Sequence, residues 1–120
     1  MHRHLFAALA AVSLTAALAV AAEPVSVEGE LITIMCYTGH GEDGRGASHA
    51  ECARKCANEG YPLAVLTDDG VIYKITGRLT ADNNAALQDL LTKKVVATGE
   101  AGREGEGHTL DATAVVPARP

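Results

Sequence analysis

Three cysteines, Cys36, Cys52 and Cys56, and the histidine beside two of them, His49, are the residues in this chain best equipped for chemistry. Their spacing is Cys-x12-His-x2-Cys-x3-Cys. On a helix, His49, Cys52 and Cys56 stand at positions i, i+3 and i+7, which spread over only about 60° of the helical wheel. Ala53 shares that sector, while Glu51, Arg54, Lys55 and Asn58 point away from it. Three soft or borderline donors would thus face one way, and Cys36, at the end of an earlier strand, would supply a fourth. Three thiolates and one imidazole make a closed tetrahedral set, the usual ligation of structural zinc. The same set suits copper(I). The expectation is one metal ion on Cys36, His49, Cys52 and Cys56, zinc ahead of copper(I).

Two other readings compete. In an oxidising compartment cysteines pair, and three allow one disulfide and an odd thiol. Cys36 bridged to the helix would staple a small core, and then no metal binds. Alternatively Cys52 and Cys56 form a redox-active pair. Thioredoxin-like chemistry, however, uses Cys-x2-Cys at a helix start, and here the pair is Cys-x3-Cys inside the helix. No nucleophile–base pair stands out, and a closed four-ligand site leaves no position for substrate water, so the expectation is a protein that is not an enzyme.

The elements that must hold these residues read as follows. Met1 to about Ala22 has a short basic start, an apolar Ala- and Leu-rich middle and small residues at its exit, the pattern of a cleavable signal peptide. Cleavage would leave residues 23–120 as a single exported domain, periplasmic or secreted, with no membrane insertion. Losing Arg3 with the leader takes the formal net charge from −5 to −6. An acidic, Trp-free chain lacks the cations that phosphate binding needs, so nucleic acid is not an expected partner; a peptide or another envelope protein is.

Glu28 to Cys36 is an apolar, β-branched run and reads as the first strand. Tyr37 to Gly46 holds four glycines and reads as a loop. Its Gly41 to Ser48 stretch nearly matches a phosphate-cradling loop, but Ala47 replaces the lysine, and Glu42 and Asp43 would repel phosphate. His40, Glu42 and Asp43 are better read as loop residues than as a cation site. Ser48, with Glu51 three residues on, predicts a capped helix to about Asn58, ended by Gly60 and Pro62. The helical insertion thus spans residues 37–60.

Leu63 to Thr67 and Val71 to Thr76, separated by Asp68-Asp69-Gly70, predict a hairpin. Thr80 would cap a second helix through Asn83 to Leu91. Lys93 to Thr98 predicts a strand and Gly99 to Gly107 a polar turn or hairpin tip. Leu110, Ala112, Ala114 and Val116 alternate as one face of a last strand, and residues 117–120 form a disordered tail.

The predicted class is mainly β with α insertions. With the insertion set aside, three strands, a helix and two strands follow one another, the order of the five-stranded OB barrel. Val27-Glu28-Gly29-Glu30-Leu31 at the start of the first strand, and Lys93-Lys94-Val95-Val96-Ala97-Thr98-Gly99 after the helix, resemble the small exported bacterial OB-fold proteins. That resemblance implies a small OB-like barrel with a Cys/His-bearing insertion between strands 1 and 2, and it carries no catalytic motif.

Overall fold

A computed structural model describes residues 10–15 and 23–120; the signal-peptide reading of Met1 to Ala22 lies mostly outside the described residues. The fold is a five-stranded mixed sheet with helical insertions. Strand β1 (Val25–Thr33) pairs antiparallel with both β2 (Leu63–Leu66) and β4 (Lys94–Glu104). Strand β3 (Ile72–Thr76) pairs antiparallel with β2 and parallel with β5 (Gly107–Pro117), which in turn pairs antiparallel with β4.

Alternation along each strand sends one set of side chains inward. Val27 and Leu31 of β1, Leu63 and Val65 of β2, Ile75, Val95, Ala97, Leu110 and Ala112 form one buried cluster. Leu87 and Leu91 join it from the segment between β3 and β4, and Ala57 joins it from the insertion. On the opposite face, Ile32, Ala64 and Leu66 form a second, smaller cluster, covered by Ile34, Tyr37 and Ile72.

Several sequence expectations are corrected here. The first strand ends at Thr33, not Cys36, and Ile34–His40 is a short helix, α1. The cause lies in the partner strand: Thr33 pairs with Leu63, Ile34 N–H donates to the Pro62 carbonyl at 3.1 Å, and Pro62 has no N–H to continue the ladder. Helix α1 then forms because Ile34 and Tyr37, three residues apart, reach the second apolar cluster together. The expected loop 37–46 is therefore mostly helical, α1 followed by a 3-10 turn at Gly41–Gly44.

The second helix is also different. Asp82, Asn83 and Asn84 all have positive φ, a left-handed turn that Asp and Asn tolerate best. Ala85–Leu90 continues as a 3-10 helix, and Thr80 gives its hydroxyl to the Gly77 carbonyl rather than to a helix start. The payoff is at Asn84, whose buried amide donates to the carbonyls of Ala57 and Tyr61.

The polar stretch 99–107 is strand for most of its length, closed by a two-residue turn at Gly105-Glu106. In β5 the alternation breaks. Thr98 faces Ala114 but Gly99 faces Ala112, so Thr113 is an extra residue. Such a bulge switches faces, and Val115 packs on the core while Val116 is left 51% exposed. The hairpin at Asp68-Asp69-Gly70 forms as expected, with Thr67 N–H donating to the Val71 carbonyl at 2.9 Å. β5 reaches Pro117, and Ala118 N–H donates to the Lys94 carbonyl at 2.9 Å.

Candidate metal centre

Two helices carry the candidate ligands. Cys36 sits on α1 and is 4% exposed. Cys52 and Cys56 sit on α2 (Ala50–Asn58), Cys52 exposed and Cys56 half-buried. His49 ends a 3-10 turn, Ala47–His49, at the N-terminal boundary of α2.

The insertion is located by several contacts with the strands. Ala53 and Ala57 are buried, and with side chains this small α2 can approach the core closely. At its C-terminus Tyr61 N–H donates to the Cys56 carbonyl and Gly60 N–H to the Ala57 carbonyl, a Schellman end. Gly60 has φ +85°, as the sequence predicted from its place after the helix. Asn84 then takes up the Ala57 carbonyl from the side. The start of α2 is tied differently. One oxygen of the Glu30 carboxylate, on β1, accepts from Arg45 at 3.1 and 3.2 Å, and the other accepts the Gly46 N–H at 2.9 Å. Burial disfavours the Arg45 charge, but the bond to and charge of Glu30 outweigh it, so the guanidinium pKa is raised. Gly44 lies so close to the Cys36 carbonyl that any Cβ there would overlap it, which holds the loop against α1. The predicted Ser48 cap is absent: neither helical start has a side-chain cap.

Cys36, His49 and Cys52 place their ligand atoms within 4.8 Å of one another, close enough to bind one metal ion. Cys56 lies outside that trio, but its Sγ is 3.6 Å from the Cys36 Sγ. All three thiols are free. A disulfide needs about 2.05 Å between sulfurs, so the competing disulfide reading has no counterpart here. The inward stripe of α2 is also corrected: Ala53 and Ala57 are buried, whereas Cys52 is exposed and His49 and Cys56 are half-buried, so the donors line its edge.

The electrostatics of the site depend on what occupies it. Burial pushes the Cys56 thiol up to about 11, and the hydrogen bond to Cys36 and the neighbouring thiols push the same way. Without a cation, the Cys56 sulfur keeps its proton. The His49 Nε2 atom is buried with no hydrogen-bond partner among the described residues. A buried imidazole nitrogen left bare is costly, and a metal bond is one way to satisfy it.

Other candidate residues go elsewhere. Glu42 turns to Arg45 at 3.5 Å. His40, read from sequence as a loop residue, is the last residue of α1, and its ring centroid is 6.4 Å from that of His49. The signal for it was faint: Cys36 and His40 are four apart, a helical spacing inside a segment that read as strand and loop. Comparison of the chain with protein-family models, with curated proteins and with solved structures gave no match.

Proposed function

We propose that the mature chain is an exported, non-catalytic metal-binding protein, an OB-like barrel holding one zinc ion on Cys36, His49, Cys52 and Cys56. The observation that carries this is the convergence of Cys36, His49 and Cys52 from three separate local elements onto one point. Two thiolates on one tetrahedral zinc, each about 2.3 Å from it, stand about 3.8 Å apart. The 3.6 Å between Cys36 and Cys56 suits that edge, which supports Cys56 as the fourth ligand. Copper(I) ranks second, because it accepts the same sulfurs and does not need the imidazole. The barrel reading rests on the ring of pairings β1-β2-β3-β5-β4, with β4 returning to β1. The leader-like first 22 residues support export, to the periplasm or beyond, and a peptide or envelope protein as partner.

The test is native mass spectrometry of protein recovered from the exporting cell without reductant. One zinc per chain is expected, lost together with the order of residues 34–60 in Cys52→Ser. A metal-free mass two hydrogens light, unchanged by zinc, would overturn the reading in favour of a disulfide-stapled module.

A further inference from the structure

The centre has one closed side and one open side. Cys36 is 4% exposed, on the buried side of α1, with its backbone carbonyl against Gly44. Cys52 and His40 are both exposed. His40 lies on the same helix as Cys36 and four residues later, so the two side chains project from neighbouring positions on one face. Gly41, at φ +61°, ends the helix immediately after His40, leaving His40 at the junction between α1 and the 3-10 turn Gly41–Gly44. The centroid of the His40 ring is 6.4 Å from the centroid of the His49 ring, beside the trio of Cys36, His49 and Cys52 but not part of it.

Resting on the metal-binding reading above, we infer that this is an exchange centre, with His40 as its exchange ligand. The metal enters and leaves on the open side. An imidazole nitrogen of His40 bonds the ion as the Cys52 sulfur bond breaks. The Cys52 thiolate takes a proton from solvent, and the charge on the ion is carried meanwhile by the ligands behind. No electron moves. An incoming donor, a thiol that gives up its proton to solvent or a nitrogen chelator, then displaces His40 on the open side while Cys36, His49 and Cys56 still hold the ion. Those three bonds break in turn as the ion leaves on the donor, and the freed thiolates take protons from solvent. A site sealed on all sides would instead release metal only by opening the insertion, at a rate that no acceptor influences.

The experiment is stopped-flow transfer of zinc from the loaded full-length mature protein to a chromogenic pyridylazo chelator, for the native chain and His40→Ala. In the native chain the transfer rate should rise with chelator concentration. In His40→Ala it should fall about tenfold, a barrier increase of about 1.4 kcal/mol, while equilibrium zinc affinity changes less than about threefold. Cys36→Ser, by contrast, should lose equilibrium affinity. A rate independent of chelator concentration, or equal in both chains, overturns the exchange role. An affinity loss in His40→Ala as large as in Cys36→Ser also overturns it, because His40 would then be a resident ligand. A native protein that takes up no zinc refutes the metal-binding reading itself, an outcome distinct from a loaded protein whose transfer ignores His40.

Discussion

The strand framework and the insertion between β1 and β2 are held by different physics. In the framework, Leu31, Leu63, Val65, Val95 and Leu110 are fully buried, and hydrogen-bonded ladders join β1 to β2 and β4, β2 to β3, and β5 to β3 and β4. Its stability is that of apolar area removed from water. The insertion, Ile34 to Gly60, buries mainly small side chains on α2, and its helices have no side-chain caps. What fixes it is a handful of polar anchors, Glu30 to Arg45 and Gly46 at one end and Asn84 to Ala57 at the other. A region with few apolar contacts opens at lower free energy than its scaffold. A metal ion is well suited to such a segment, because binding energy at the site becomes ordering energy for the chain around it.

The comparison can be broken first at the framework. Leu31→Ala removes a fully buried side chain and should cost about 2–5 kcal/mol, unfolding framework and insertion together. A thermal melt followed by circular dichroism should show one lowered transition. Two separated transitions would mean the regions do not share a core.

Asn84→Ala comes next. It leaves the carbonyls of Ala57 and Tyr61 without their amide donor, a loss of about 1–3 kcal/mol. Amide exchange should quicken in α2 and weaken zinc affinity, while β4 and β5 keep their protection. Uniform acceleration across all strands would show that Asn84 serves the core rather than the insertion.

The third effect is a pH dependence that changes sign with metal. In the apo protein the Cys56 thiol is raised from 9.0 to about 11. The folded state therefore holds that proton more tightly than the unfolded chain. The resulting stability is complete below pH 9 and is lost as pH rises towards 11. With zinc bound the thiolate is the favoured form, so stability should instead fall as pH drops and protons compete for the sulfurs. Chemical denaturation across pH with and without zinc should give opposite slopes; parallel slopes would place Cys56 outside the metal's reach.

Much of this architecture is legible from local sequence where local residues decide it. Asp68-Asp69-Gly70 between two apolar runs gives its hairpin, and Gly60 before Pro62 gives the end of α2. Donor types and spacing single out the residues of the cluster, but the structure gathers His49 and Cys52 with Cys36 and leaves Cys56, from the same expected stripe, outside that trio. The misread parts are those set by distant partners. The β-branched run Ile32-Thr33-Ile34 looks like continuous strand, yet Pro62, across the sheet, halts the ladder at Thr33. Asp82-Asn83-Asn84 sits in a stretch of helical pattern, but the carbonyls of Ala57 and Tyr61 draw Asn84 into a left-handed turn. Thr113 carries no mark of a bulge in its own neighbours. His40 was hidden by the same error that extended β1, since a residue assigned to a loop has no helical partner four residues back.

The most direct test of the proposed metal centre is zinc K-edge X-ray absorption on the protein. The fine structure should fit one four-coordinate shell of three sulfurs at about 2.3 Å and one nitrogen at about 2.0 Å. Cys56→Ser should replace one sulfur by a light atom without emptying the site. A shell of oxygen and nitrogen alone, or one indifferent to loss of Cys36, would contradict the account.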